Sequence, residues 1–182
     1  MTSRLPRLPG LTSLPAIERP ELVAAPVARA LNAWPDAARV AVVEIDPDLA
    51  DTATMSATFD IPLEAGANCV VVAGKREGEE RIAACVVRAD TRADVNRTVK
   101  RLLDVRKPSF LSHERAVAES GMEYGGITPV GLPPGWRLLV DARVPAMDVA
   151  VLGSGLRRSK LLLPGSAITT LPGVEVIEGL AG

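Results

Sequence analysis

Two apolar runs, Ala67–Ala73 and Arg81–Arg88, flank the polar stretch Gly74-Lys75-Arg76-Glu77-Gly78-Glu79-Glu80. β-Branched and small apolar residues on both sides of a glycine-containing polar turn predict a β-hairpin. An antiparallel pair of this kind argues against a doubly wound parallel sheet, in which strands and long helices alternate strictly. Further short strands are expected at Arg39–Ile45, Arg137–Asp141, Val149–Leu152, Lys160–Leu163 and Val174–Ile177. Helices are expected between them. Leu22, Val27, Ala30, Leu31 and Trp34 recur at helical spacing over Glu21–Trp34, with Pro26 in the first turn or at a kink. Asp48 is placed to cap a helix running through Phe59, and Val95, Val99, Leu102 and Leu103 mark a helix over Thr91–Leu103. Ser112 predicts the start of a helix that Gly121 ends, and a brief helical turn is expected near Ser166–Leu171. The fold class is α+β: a mixed, largely antiparallel sheet, curved or curled into a barrel, flanked by helices.

Composition narrows the function classes. The chain has 21 basic and 22 acidic side chains, a net charge of −1, and only 3% aromatic residues. The core must therefore be aliphatic, and a broadly cationic nucleic-acid binder is excluded, so any RNA contact must be local. No run approaches the ~18 apolar residues that cross a bilayer, and MTSRLPRLPG lacks the apolar stretch of a secretory signal. A cytoplasmic protein with no membrane partner is expected. Cys69 and Cys85 form no CxxC pair and His113 is the single histidine, so a disulfide framework, a metal site and a cofactor are not expected. Prolines 6, 9, 15 and 20 make residues 1–20 an irregular arm, and residues 21–182 are read as a single domain.

Three features carry possible chemistry. Met122–Trp136 contains four glycines and three prolines, which exclude a regular element, and its Gly125-Gly126-Ile127-Thr128-Pro129 portion can bring rigid backbone groups close to a ligand. Gly153-Ser154-Gly155-Leu156-Arg157-Arg158-Ser159-Lys160 crowds two hydroxyls and three cations into a turn that suits an anion, without the spacing of a P-loop or a dinucleotide fingerprint. Asp141 ends an apolar strand, where a carboxylate either orients a ligand or ties down a loop. His113 reads as a solvated first-turn residue. Cys69 reads as a small buried hydrophobe, and no Ser-His-Asp or Cys-His set assembles.

The ordered set Thr91–Leu103, Ser109-Phe110-Leu111-Ser112, Gly121–Leu132, Val140-Asp141-Ala142 and Gly153-Ser154-Gly155 with Arg157 and Lys160 resembles the YbaK/EbsC-like family of aminoacyl-tRNA editing domains, from about Val40 onward. The resemblance implies a stand-alone, trans-acting deacylase that hydrolyses the ester of a mischarged tRNA, with the aminoacyl-tRNA 3′ end as partner and DNA excluded. It implies that Gly125 to Pro129 match the family's GxxxP loop, whose backbone groups hold the terminal adenosine and stabilise an oxyanion. Asn68, Gly126 and Asp141 are the expected catalytic positions. Gly125, Ile127, Thr128, Pro129, Gly153, Ser154, Gly155 and Ser159 are expected to bind substrate, and Arg157, Arg158, Lys160, Lys100 and Arg101 to contact tRNA. In the run Asn68-Cys69-Val70-Val71, Asn68 stands where relatives carry a lysine, and Ser159 lies near a position where some carry a histidine. An amide donates hydrogen bonds without charge. The alternative is a non-catalytic module that binds a nucleotide, an aminoacyl group or a protein, and the sequence leaves the oligomeric state open.

Overall fold

The computed structural model describes residues 4–182, so the first three residues of the arm lie outside the described part. Two sheets form the molecule. In the first, β1 (Leu14–Pro15), β2 (Ala41–Glu44), β8 (Ser159–Leu163) and β7 (Ala150–Gly153) lie side by side in that order, every neighbouring pair antiparallel. In the second, the order is β5 (Ser109–Phe110), β3 (Ala67–Arg76), β4 (Glu79–Arg88), β6 (Trp136–Asp141), β9 (Val174–Ile177). Here β3 pairs antiparallel with β4 and β5, while β4–β6 and β6–β9 are parallel. The α+β class holds, with a mixed sheet and without barrel closure. The two sheets touch through one parallel bridge between Gly66 and Val151.

The hairpin β3–β4 is longer than the apolar runs suggest. Its strands continue through the charged pairs Lys75 opposite Glu80 and Arg76 opposite Glu79, leaving a two-residue Glu77-Gly78 turn with both φ angles positive. Opposite charges across a ladder make this extension favourable, and a turn with two positive φ angles matches the strand twist.

Among the helices, α1 (Ala25–Ala33) carries Pro26 in its first turn, where no N–H is needed. The segment expected to start at Asp48 divides into a 3-10 turn, Pro47–Leu49, and α2 (Thr52–Phe59). Asp51, not Asp48, is the cap: its carboxylate accepts the Thr54 N–H at 3.0 Å. The helix expected over Thr91–Leu103 shrinks to a π-turn at Val95–Val99 followed by α3 (Lys100–Leu103). The Arg92 carbonyl accepts the Gly182 N–H, and the Arg92 and Asp94 N–H groups donate to Gly182 and Leu180, so this stretch pairs with residues 180–182 in place of a first helical turn. α4 (His113–Ser120) is capped by Ser112 and ends at left-handed Gly121, as expected. Met122–Gly135 has no regular element.

Leu31, Val42, Val86, Val140, Leu161 and Ile168 build the main aliphatic core between the sheets. A second core, with Val72, Cys85, Leu103 and Leu139, lies on the other face of the second sheet beneath α3. No helix among the described residues is long and apolar enough to cross a membrane.

Gly155 and Gly78 separate backbone strain from crowding. Both have positive φ, +85° and +82°, but a Cβ at Gly155 would overlap Ala24 whereas one at Gly78 meets nothing within 4 Å. Gly155→Ala should lower unfolding free energy by about 2–4 kcal/mol and Gly78→Ala by about 1 kcal/mol, read from urea denaturation.

Candidate functional site

A cleft of about 480 Å³ opens where the two sheets meet. β5 pairs only with Val72 and Ala73, so the first residues of β3 keep a free outer edge that forms one wall. Gly66 permits the close approach there, because a Cβ would lie 2.9 Å from Thr52 Cγ2. The start of α2 contributes Asp51, Thr52, Met55 and Ser56, and β7 and β8 contribute Val151, Gly153 and Lys160. Gly125, Ile127 and Arg157 line the opening with the rings of Phe110, His113 and Tyr124.

Lys160 dominates the electrostatics. Its place on β8, between Val43 and Gly153, puts its side chain on the same face as Leu162, beneath α2. It is 6% exposed, yet its ammonium makes no hydrogen bond and has no carboxylate within 4.0 Å among the described residues. Burial lowers its pKa to about 8, the Asp51 carboxylate partly opposes that shift, and the Arg157 guanidinium adds to it. The nearest acid is already engaged: Asp51 accepts the Thr54 N–H at 3.0 Å and the Thr54 hydroxyl at 3.1 Å. An ammonium largely charged at neutral pH thus faces the cleft with no carboxylate in direct contact among the described residues, Asp51 acting on it only at longer range. Such a group seeks an anion or a carbonyl oxygen in which negative charge develops.

Arg157 spans the entrance. It donates to the Pro47 carbonyl at 3.1 Å and the Tyr124 carbonyl at 3.5 Å, and forms no ion pair among the described residues. Asn68 lines the cleft, and its Oδ1 accepts the Thr52 hydroxyl at 2.9 Å. Cys69 also lines it, but burial pushes its thiol well above the ordinary range, so it stays protonated. Cys85, on the opposite face of the sheet, is pushed up to about 12. Among the described residues no three His, Cys, Asp or Glu side chains group as metal ligands.

The structure does not bring the three expected catalytic positions together: only Asn68 lines the cleft. Asp141 accepts from the Arg143 N–H (3.0 Å), Arg143 Nε (2.8 Å) and the Ala181 N–H (2.9 Å), so this buried carboxylate ties down the C-terminal segment. Gly126 is consumed on both sides, its N–H donating to Glu123 and its carbonyl accepting from Gly155 N–H at 2.7 Å. The two glycine turns pack backbone against backbone. A Cβ at Gly126 would lie 2.9 Å from Leu156 N, and one at Gly153 would overlap the Gly126 carbonyl.

Most expected substrate contacts from these turns are internal. Ser154 and Ser159 are buried, with their hydroxyl oxygens 2.6 Å apart, and Ser159 donates onward to the Leu22 carbonyl. Thr128, Pro129 and Gly155 are buried and away from the cleft, whereas Gly125, Ile127 and Gly153 line it. The five expected tRNA contacts separate. Lys160 lies inside the cleft and Arg157 at its opening, Arg158 is exposed and donates to the Glu21 carbonyl, and Lys100 and Arg101 sit on α3 over the second core. His113, given no role from the sequence, stacks on Tyr124 with ring centroids 4.0 Å apart. The signal for Lys160 was a lone cation opening the apolar strand Ser159–Leu163.

Residues 46–171 match the family described as aminoacyl-tRNA editing domain. No curated protein matches the chain. Among solved structures, hypothetical protein APE2540 aligns at 19% identity and TM-score 0.68, over 78% of this chain and 90% of that one. A structure described as "a putative trans-editing enzyme for prolyl tRNA synthetase" aligns at 17% identity and TM-score 0.69, over 85% and 96%. A scaffold protein from epitope backbone grafting aligns at 17% and 0.72, over 85% and 95%. At these identities the likeness is one of fold.

The buried cation has a thermodynamic signature. An unfolded lysine keeps its proton up to about 10.5, while folded Lys160 releases it near 8, so the unfolded chain binds more protons between those values and stability rises with pH there. Lys160→Met removes this rise. Measured by denaturant titration at about pH 7 and about pH 11, the wild type should gain on the order of 3 kcal/mol relative to the variant.

Proposed function

Because the chain belongs to the aminoacyl-tRNA editing domain family, we propose that it hydrolyses the ester of a mischarged aminoacyl-tRNA in the cleft around Lys160. The observation that carries this reading is the Lys160 ammonium, buried, free of ion pairs and open to the cleft. Water adds to the ester carbonyl carbon, and the carbonyl electron pair moves onto oxygen beside the ammonium. The tetrahedral intermediate then expels the ribose oxygen, which takes up the proton that water gives up, and the amino acid leaves as its carboxylic acid. One preorganised donor of this kind in a site sheltered from water contributes about 10²–10³ in rate. No side-chain nucleophile enters, in keeping with the protonated Cys69 thiol.

The other residues shape and hold. Thr52, Ser56 and the amide of Asn68 give one side of the cleft a polar lining, while Met55, Ile61 and Val151 give an apolar one. A cleft of this size sorts aminoacyl groups by volume. Lys160 supplies from β8 the positive charge that the amide at Asn68 lacks. In the GxxxP loop, Gly125 and Ile127 form wall, while the Gly126 carbonyl holds the loop to the Gly155 N–H.

Deacylation of a panel of mischarged tRNAs by the wild type, Lys160→Met and Lys160→Arg tests the reading. Turnover should fall about 10²–10³-fold in Lys160→Met and recover in part in Lys160→Arg. Since the charged form acts, the wild-type rate should decline as pH rises through about 8, and this limb should vanish in Lys160→Met. Ligand binding without hydrolysis of any panel member at high enzyme concentration would overturn it.

A further inference from the structure

The chain holds two Trp, one Tyr and two Phe. Trp34 is buried, and Phe59 and Trp136 pack against apolar clusters. The other two are exposed, Phe110 at 64% and Tyr124 at 54%, and both stand at the rim of the cleft. His113, which also lines the cleft, sets its ring against Tyr124 at 4.0 Å with the planes tilted by 33°. A protein so poor in aromatic residues gains nothing in stability from leaving two in water, and exposed flat faces lining one opening suit another flat ring.

Phe110 also lines a second, more open groove, together with Lys75, Arg106 and Lys107. The acids around that groove are occupied: Glu80 holds Arg115 at 2.8 Å, and Asp104 holds Arg81 at 3.1 Å and Arg76 at 3.7 Å. Lys75 faces Glu80 across the hairpin without closing to an ion pair, and Arg106 and Lys107 form none among the described residues. Outward from Lys160, the surface therefore presents an enclosed cation, then aromatic faces, then unpaired cations. An unpaired 3′ end bearing an ester presents an acyl group, then bases, then phosphates. Aromatic platforms combined with a cationic groove are how single strands are held without sequence readout.

We propose that Phe110 and the His113–Tyr124 pair stack the unpaired terminal bases of the tRNA acceptor end, and that Lys75, Arg106 and Lys107 track its phosphates. The identity of the nucleic acid rests on the deacylase reading above; the stacking site does not depend on turnover.

The test uses the full chain and a short single-stranded RNA with a tRNA-like unpaired 3′ end, carrying 2-aminopurine at its last or penultimate base and no ester. Wild-type protein should quench the fluorescence on binding. Phe110→Ala and Tyr124→Ala should abolish the quenching and weaken binding by about 5- to 100-fold, with Phe110→Trp restoring both. Both side chains are exposed, so the variants should retain the wild-type circular dichroism and unfolding midpoint. Lys107→Ala and Arg106→Ala should keep the quenching but each reduce the slope of log affinity against log salt by about 0.7. Unchanged quenching and affinity in both aromatic variants, or equal displacement of the RNA by an acidic peptide, would overturn the proposal. Stacking without deacylation of any tRNA would sink the deacylase reading alone. Deacylation unaffected by Phe110→Ala and Tyr124→Ala would sink the stacking site alone.

Discussion

The contact on which the site depends is the backbone packing of two glycine turns. The Gly126 carbonyl accepts the Gly155 N–H at 2.7 Å, and neither Gly126 nor Gly153 has room for a side chain against the other turn. The same unit reaches α1, since Ala24 N–H donates to the Ser154 carbonyl at 3.1 Å and Gly155 lies against Ala24. Three distant segments are thereby fixed together: the first helix, the irregular loop before β6 and the turn between β7 and β8. Arg157 and Lys160 leave that turn in two directions, one across the entrance and one into the cleft. Buried polar groups in the turn are satisfied internally, as the Ser154–Ser159–Leu22 chain shows, so the turn is rigid without help from a ligand.

Charge is arranged by pairing acids elsewhere. With a net charge of −1, the chain has enough carboxylates to neutralise its cations. Instead Asp51 caps α2, Asp141 anchors the C-terminal segment, and Glu80 and Asp104 hold arginines on the sheet surface. Lys160, Arg157 and the cations of the outer groove are left over. A protein neutral overall can thus carry a local positive track, and transient contact with an anionic partner follows from the small number of charges involved.

Periodicity and turn chemistry made much of the fold legible. The hairpin and the Ser112 and Gly121 caps follow from local rules, because their bonds are made between near neighbours, and β6 to β9 are marked by short apolar runs, although β8 and β6 pair with β2 and β4 far away in the sequence. The helix expected over Thr91–Leu103 failed where Gly182 and Leu180 claim the backbone of Arg92 and Asp94, contacts between residues 90 and 86 positions apart that no local window covers. The helix start moved from Asp48 to Asp51 because both are competent caps and only the surrounding packing chooses between them.

The candidate site divides in the same way. Residue types alone marked the glycine turns, the cations of the β7–β8 turn and the absence of a nucleophile set, since these are properties of composition and local conformation. Which cation enters the cleft was decided by the register of β8 against β2 and β7, because a shift of one residue would turn Lys160 to the opposite face. Whether Asp141 serves a ligand or the scaffold was decided by the arrival of Ala181 at its carboxylate. The rim of Phe110, His113 and Tyr124 is assembled from β5, α4 and the following loop, and exists only once β5 pairs with β3. Sequence determined the available chemistry, because side-chain identity and backbone freedom are local. Tertiary structure decided which groups remain unpaired and face a common space, because pairing and burial depend on segments far apart along the chain.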